Sequence, residues 1–188
     1  MKKLKYGNTN TFYISGLLVD TDYAGTLRAF YRALKQSGIT VGDIRYVLAT
    51  HYHPDHMGLI GDLTRQGVRH LLLDVQTDAI HASDHIFERD GVPYVPLNAA
   101  EATVISCAES RAFLAGIGIA GEILHTPSHS PDSVSLVLDD GDCFVGDLEP
   151  EAYLEAYEDP VLLRADWERI LERRPKRVFY SHMPERRL

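Results

Sequence analysis

Short hydrophobic runs alternate along the chain with segments in which apolar residues recur every three or four positions. The first pattern is typical of strands and the second of amphipathic helices. The predicted strands are residues 12–19, 45–49, 68–73, 122–126, 133–138, 143–146 and 177–180. The predicted helices are residues 24–37, 57–66, 74–85, 106–115 and 160–173. Residues 91–97, with two prolines, are expected to be irregular, and the alternation indicates an α/β fold.

The chain shows no repeat, no low-complexity tract and no linker that would divide it. Its 188 residues suit one domain and are enough to bury most of the apolar surface. Asp139-Asp140-Gly141-Asp142 is a strong turn signal and predicts a hairpin between the two strands that flank it. We therefore expect a single domain over residues 1–188.

Histidine and aspartate residues follow the ends of four of these strands, at residues 51–56, 129, 147 and 182. Strand ends at one edge of a sheet can converge on one point, where loops carry function on a rigid scaffold. We therefore expect these side chains to meet in the folded protein.

The first cluster, His51-Tyr52-His53-Pro54-Asp55-His56, has the pattern H-x-H-x-D-H. His51 and His53 lie two apart on an extended segment, so their rings point the same way and suit one metal ion. Pro54 cannot lengthen a strand and is expected to turn the chain. Asp55 and His56 then offer one oxygen and one nitrogen to a second metal ion.

Three later residues supply the further ligands that two metal sites need. His129 lies in a loop of small residues, Asp147 ends the predicted hairpin, and His182 follows the last predicted strand. A carboxylate such as that of Asp147 can bridge two metal ions ~3.5–4 Å apart. In this order after the first cluster, all three are predicted to be functional.

Composition narrows the partners to small molecules. The net charge of −8 argues against nucleic acid, which needs a stripe of basic residues. No run approaches the ~20 apolar residues of a membrane span, and no signal core follows the basic N-terminus. A solvated tail or helix end is favoured over an anion-binding patch for six basic residues near the C-terminus: Arg173, Arg174, Lys176, Arg177, Arg186 and Arg187.

Cys107 and Cys143 lie among apolar residues and fit no zinc spacing. Buried free thiols are the favoured interpretation, and they are compatible with a reducing cytoplasm. We therefore expect a cytoplasmic protein, and we leave a homodimer open.

The chain resembles the metallo-β-lactamase superfamily, whose H-x-H-x-D-H motif is followed by a histidine, a bridging aspartate and a final histidine. The resemblance extends from Asn8 to His182. It implies a four-layered αββα sandwich with the metal ions at one edge between two sheets. It also implies three groups of ligands: His51, His53 and His129 on the first metal, Asp55, His56 and His182 on the second, and Asp147 as the bridge.

Asp147 makes the chain similar to glyoxalase II-like and lactonase-like members, whereas the best-known β-lactamases lack a bridging aspartate. His53 replaces the glutamate of flavodiiron relatives, and the full second site differs from single-iron persulfide dioxygenases. Ser128, Asp132 and Met183 stand where relatives often carry glycine. The chain ends six residues after His182, so we expect it to lack the helical region with which glyoxalase II holds glutathione.

The resemblance implies hydrolysis of a small ester, thioester or lactone by a metal-bound hydroxide. Zinc is the first choice for the two divalent ions, with iron or manganese as alternatives, and Asp55 is expected to orient the attacking water as well as ligate. An iron-dependent oxidoreductase, a phosphodiesterase and a metal-binding domain without catalysis stay open as alternatives. Tyr52 and Tyr180 lie beside ligands, and packing is favoured over oxyanion binding for both; His125 is at best a support for His129.

Overall fold

The computed structural model of the protein describes residues 1–158 and 160–188. The chain divides into two compact units, Met1–Ile105 and Ser106–Leu188, called here the N-terminal and C-terminal units. The expectation of a single domain over residues 1–188 stays a prediction. No helix in the described part of the chain is both long and apolar enough to cross a membrane.

The N-terminal unit is built on a six-stranded sheet. Its strands are β1 (Lys2–Lys5), β2 (Asn10–Ile14), β3 (Leu17–Val19), β4 (Tyr46–Leu48), β5 (Arg69–Leu73) and β6 (Thr103–Ile105). They lie in the order β1-β2-β3-β4-β5-β6. The first three are antiparallel, whereas β3 to β6 run parallel. β1 and β6 are edge strands that the sequence pattern did not predict.

Helices and 3₁₀ turns connect the parallel strands. The helices are α1 (Leu27–Gln36), α2 (Pro54–Met57), α3 (Ile60–Thr64) and α4 (Asp84–Asp90). The 3₁₀ turns span Val41–Asp43, Asp74–Ala79 and Ala99–Glu101. Phe30 and Leu34 of α1 join Ile60 of α3 in one buried cluster with Val47 and Leu72 of the sheet. The central strands β3 and β4 are continuous apolar runs, as expected for parallel strands buried on both faces.

The single strand predicted over residues 12–19 is wrong, because the chain reverses within it. Ser15 and Gly16 both adopt positive φ, 48° and 92°. Two such residues in succession make the turn that suits the twist of a β-hairpin. β2 and β3 therefore pair antiparallel, with Ile14 opposite Leu17.

The single helix predicted over residues 57–66 is also wrong, because α2 and α3 are separated at Gly58 and Leu59. Gly58 packs against the backbone around Asp22 and Ala24, and a Cβ atom there would lie 2.3 Å from the Ala24 nitrogen. The helix predicted over residues 74–85 is wrong as well: a 3₁₀ turn comes first, and α4 begins only at Asp84.

The C-terminal unit contains a five-stranded sheet. Its strands are β7 (Gly121–His125), β8 (Val134–Leu138), β9 (Asp142–Phe144), β10 (Arg177–Phe179) and β11 (Arg186–Arg187). Their order is β11-β10-β9-β8-β7, with only the β9–β10 pair parallel among those described. The helices are α5 (Ser110–Gly116) and α6 (Val161–Leu171), and 3₁₀ turns span Cys107–Glu109 and Glu151–Ala156. The predicted hairpin between β8 and β9 is confirmed.

α6 covers one face of this sheet. Trp167 and Ile170 of the helix are buried against Val145 and Val178. Arg186 and Arg187 are exposed to solvent, as predicted, but they form the edge strand β11 rather than a tail or helix end.

The side chain of Arg177 is 41% exposed and forms a bidentate ion pair with the carboxylate of Asp142, at 2.8 Å for each bond. Both cysteines are free, as predicted, but only Cys143 is buried, whereas Cys107 is half-buried.

Tyr52 and His70 form a buried pair in the N-terminal unit. Only 1% of Tyr52 and 3% of His70 is exposed, and the Tyr52 hydroxyl lies 2.6 Å from Nε2 of His70. Burial lowers the pKa of His70 from 6.5 to about 4. Nε2 of the neutral ring therefore accepts a hydrogen bond from the Tyr52 hydroxyl, and this bond helps to fix the segment that carries His51 and His53.

We predict that His70→Gln flattens the pH dependence of stability. The unfolded chain takes up a proton near pH 6.5, whereas the folded protein does so only near pH 4. The wild type should therefore lose about 3 kcal/mol of unfolding free energy as the pH falls from 6.5 to 4. Glutamine still accepts the Tyr52 hydrogen bond but does not titrate. The urea-unfolding midpoint of the His70→Gln variant should therefore change less than that of the wild type between pH 6.5 and pH 4.

The matched control is His81→Gln, because His81 is 58% exposed and should leave the wild-type slope in place. All other histidines are present in both variants, so the comparison is between the pH slope of His70→Gln and that of His81→Gln. A wild-type slope in His70→Gln would contradict burial of this ring as the source of the pH dependence.

Candidate metal centre

The candidate ligands of the N-terminal unit follow the carboxyl end of β4. Strands β3 and β4 run parallel with Val19 opposite Leu48, so the residues that follow them leave the sheet at the same edge. His51 and His56 are buried, with 1% and 0% exposed. The prediction that the histidine cluster lies just past a strand end is confirmed.

His51 and His53 present their rings to each other. Nε2 of His51 lies 3.0 Å from Nδ1 of His53, and the ring centroids are 4.4 Å apart. Two nitrogen ligands on one tetrahedral zinc ion, each at 2.0–2.1 Å, stand ~3.3 Å apart. The pair therefore fits a shared metal ion with little movement.

His56 and Asp55 lie on the short helix α2, which begins at Pro54 with His53 as its N-cap. The ring of His56 is 4.0 Å from that of His51 between centroids. Nε2 of His56 lies 3.9 Å from Oδ1 of Asp55. The helical turn thus places a nitrogen and an oxygen side by side, as the sequence spacing predicted.

Asp20 organises this cluster, and the sequence analysis did not identify it. Its carboxylate is fully buried and accepts hydrogen bonds from the backbone N–H of Thr50 at 2.6 Å and from Nδ1 of His56 at 2.9 Å. With Nδ1 committed as a donor, Nε2 of His56 keeps its lone pair for a metal ion. The Thr50 hydroxyl also donates a hydrogen bond to the Asp20 carboxylate at 2.9 Å, and its oxygen lies 3.2 Å from Nδ1 of His51.

Two threonines anchor the backbone of the cluster. The Thr9 hydroxyl donates to the carbonyl of Asp55 at 2.7 Å, and the Thr9 N–H donates to the carboxylate of Asp22. Both the N–H and the hydroxyl of Thr21 lie within hydrogen-bonding distance of the His56 carbonyl, at 2.9 and 3.1 Å. These contacts fix two successive carbonyls within α2 and so hold the backbone that carries the Asp55 and His56 side chains.

The parallel pair β9–β10 positions two ligands of the C-terminal unit. Phe144 pairs with Phe179, and Asp147 and His182 each lie three residues beyond these partners. The N–H of Ser181 donates to the carbonyl of Gly146 at 3.0 Å, which continues the ladder past the strands. Register alone therefore brings the two side chains together.

Asp147 faces a different histidine with each of its oxygens. Oδ1 lies 3.4 Å from Nε2 of His182, and Oδ2 lies 3.9 Å from Nε2 of His129. The side chains are 20–28% exposed, so the set is open to solvent on one side. Such an arrangement is what a carboxylate needs to bridge two metal ions.

The loop that carries His129 is tied to α6. The buried carboxylate of Asp166 accepts the N–H of Ser128 at 2.8 Å and pairs with Arg169 at 3.0 Å. Arg169 also donates to the carbonyl of His125, whose ring contacts the Pro131 carbonyl at 2.8 Å. The supporting role allowed for His125 is thus to close the loop, and Asp166 is a second residue that the sequence analysis missed.

The two tyrosines beside ligands are packed, as the sequence analysis favoured. The Tyr52 hydroxyl points to His70, as described above. Tyr180 is 3% exposed, lies in the core of the C-terminal unit, and burial raises its pKa to about 12.

The structure thus brings the predicted ligands together within each unit. The pairs His51–His53, His51–His56 and Asp55–His56 each place ligand atoms within 4.8 Å of one another. Asp147 lies between His129 and His182. Imidazole nitrogens and carboxylate oxygens suit zinc, iron and manganese, so the donor chemistry fits a divalent metal ion.

We predict that Asp166→Ala loosens the His129 loop. The change leaves the Ser128 N–H without its acceptor and removes the carboxylate partner of Arg169. Unfolding free energy should fall by about 1–3 kcal/mol, and amide exchange at Ser128 should accelerate in NMR measurements.

Asp166→Asn retains an oxygen acceptor and should recover part of the protection of the Ser128 amide. Glu168→Ala, at an exposed position of the same helix, should change neither quantity. Unaltered exchange at Ser128 in Asp166→Ala would show that the loop does not depend on this contact.

Known structures and curated proteins are similar to this chain. TTHA1623, solved in a di-iron-bound form, matches 100% of this chain and 94% of its own, with a TM-score of 0.73 and 24% identity. The Beta-lactamase-like protein 2 homolog of Drosophila melanogaster is 25% identical over 181 residues, which cover 93% of this chain and 58% of that protein. Metallo-beta-lactamase domain-containing protein 1 of Rattus norvegicus is 27% identical over 165 residues, covering 82% and 57%. The chain spans less than three-fifths of these two curated relatives.

The structural similarity confirms the predicted α/β fold of metallo-β-lactamase type. The family model of the metallo-β-lactamase superfamily matches residues 5–182, which include every predicted ligand. The chain therefore belongs to the metallo-β-lactamase superfamily.

Proposed function

We propose that this protein hydrolyses a small ester, thioester or lactone with the help of two divalent metal ions. The observation that carries the proposal is the carboxylate of Asp147, whose two oxygens face two different histidines. The superfamily consists mostly of metal-dependent hydrolases, which makes hydrolysis the first reaction to consider. The proposed ligands are His51, His53, Asp55, His56, His129, Asp147 and His182.

The proposed assignment divides these ligands between two ions. His51, His53 and His129 would hold the first ion, Asp55, His56 and His182 would hold the second, and Asp147 would contribute to both. The close approach of the His51 and His53 nitrogens supports the first group. The neighbouring Asp55 and His56 atoms support the second.

Bound divalent ions would lower the pKa of a water molecule towards neutrality and polarise the substrate carbonyl. The side chains of the protein would orient the attacking water molecule. Asp55, whose side chain is 28% exposed, would accept a hydrogen bond from the attacking water and so orient it. No protein nucleophile is assigned: Cys143 is fully buried, and burial raises the pKa of its thiol further.

The proposed substrate is a small neutral or weakly charged acyl compound. A net charge of −8 disfavours nucleic acid and, with it, a polymeric phosphodiester. A small phosphodiester is the alternative substrate for the same ligand set, because a pair of metal ions also supports in-line displacement at phosphorus.

An iron-dependent oxidoreductase is the second candidate function. TTHA1623 was solved in a di-iron-bound form, and histidine and carboxylate ligands suit iron as well as zinc. Metal analysis separates the two candidates: two zinc ions per chain support hydrolysis, whereas bound iron with oxygen uptake supports redox chemistry.

We predict that Asp147→Ala loses metal and activity together. The wild type should carry two metal ions per chain by mass spectrometry of the eluted metals. It should also turn over at least one compound in a screen of esters, thioesters and lactones, and lose this activity on chelation. Without the bridge, the variant should hold fewer than two ions, with turnover down at least about 100-fold.

The control is Asp139→Ala, an exposed aspartate of the same unit, which should retain both ions and full activity. Two ions in Asp147→Ala would exclude the bridging role. A fully metal-loaded wild type that cleaves no member of the screen would refute the hydrolase proposal.

We also predict that Asp20→Asn weakens metal binding by about 10–100-fold, the usual cost of losing a carboxylate behind a histidine ligand. Asparagine tolerates the left-handed backbone that Asp20 adopts, with φ of 57°, so the loss should come from the hydrogen bond to His56. Chelator competition with Zn²⁺ or Co²⁺ measures the affinity. Asp78→Asn, an exposed aspartate of the same unit, should bind as the wild type does; if Asp20→Asn does so too, the role of Asp20 is refuted.

A further inference from the structure

A cavity of about 570 Å³ lies beside His129 in the C-terminal unit. Among the described residues, its lining combines Ser128, His129, Glu149 and Tyr157 with residues 160–163 at the start of α6. A proposed metal ligand thus shares one cavity with an apolar helix end.

The start of α6 exposes an unusual amount of apolar surface. Val161 is 65% exposed and Leu162 60%, the highest values among the described large hydrophobic side chains. Leu162 lies four residues before Asp166, so the two share one face of the helix. Asp166 holds the N–H of Ser128, and this face therefore runs from the anchor of the His129 loop directly to the exposed leucine.

Glu149 is the one acidic side chain in the described part of the cavity lining. The carboxylate of Glu149 accepts a hydrogen bond from the Tyr157 hydroxyl, which raises the pKa of Tyr157. The Glu149 backbone is held by a 2.8 Å bond from the Trp167 indole to its carbonyl. No lysine or arginine is found among the lining residues within the described chain.

We propose that this cavity binds the uncharged alkyl chain of the acyl group, with the scissile carbonyl at the His129 end. The proposal rests on the hydrolase function proposed above and specifies its substrate class. An alkyl chain covers the exposed Val161 and Leu162, whereas a terminal carboxylate would meet the negative charge of Glu149.

The first test is the chain-length dependence of hydrolysis by the metal-loaded protein. With 4-nitrophenyl acetate, butyrate, hexanoate and octanoate, kcat/KM should rise about two- to fourfold per methylene. Leu162→Ser should flatten this rise. Leu171→Ser, the same substitution at another exposed position of α6 outside the cavity lining, should preserve it.

The second test concerns charge. An ester whose alkyl chain ends in a carboxylate should react about tenfold more slowly than its neutral counterpart of equal length. Glu149→Gln keeps an oxygen for the Tyr157 hydroxyl but removes the charge, so it should narrow this difference. An unchanged difference would overturn the role of Glu149.

A binding measurement separates this proposal from the hydrolase proposal. Hexanamide and octanamide, titrated into the metal-free protein, should bind more tightly with length, perturb the NMR signals of residues 160–163, and bind more weakly to Leu162→Ser. Such binding without turnover of any ester would support the cavity and refute the hydrolase. Ester turnover that does not depend on chain length, in the wild type or in Leu162→Ser, would overturn the cavity proposal alone. A change of oligomeric state in Leu162→Ser would also overturn it, because the leucine would then belong to a protein interface.

Discussion

The hydrogen bonds of the buried Asp20 carboxylate are the interaction on which the candidate centre of the N-terminal unit depends. A carboxylate without exposure is costly unless every lone pair is used, and here Thr50 and His56 supply the donors. These bonds join the ends of β3 and β4 to α2. They also orient the His56 ring, so one buried charge fixes both the backbone path and the nitrogen available to a metal ion.

The C-terminal unit achieves the same precision differently. The parallel register of Phe144 and Phe179 carries Asp147 and His182 to equivalent positions. His129 follows β7, an edge strand whose antiparallel partner is β8, and lies in the loop between these two strands. There the protein again uses a buried carboxylate, that of Asp166, which binds the backbone next to the ligand.

The candidate ligands could be identified from the sequence because each is a chemically distinctive residue just past a recognisable strand. The supports were not. Asp20 and Asp166 act on residues 30 or more positions away, and a single aspartate gives no signal of such a contact. The edge strands β1 and β11 were not predicted for another reason: they are rich in lysine or arginine, which protects sheet edges but hides the strands from a search for hydrophobic runs. The turn at Ser15 and Gly16 was missed because apolar residues continue on both sides of it.

α6 links ligand geometry to the neighbouring cavity. Its buried residues, Asp166 and Trp167, hold the Ser128 N–H and the Glu149 carbonyl respectively, so changes at these positions disturb the site whatever the substrate. Val161 and Leu162 on the first turn are exposed and make no contribution to that anchoring. A rigid inner face and an adaptable outer end on one helix would allow the preferred acyl chain to change while the ligands stay in place. Substrate preference in close relatives should therefore vary first at the outer end of this helix, because substitutions there do not weaken the support of His129.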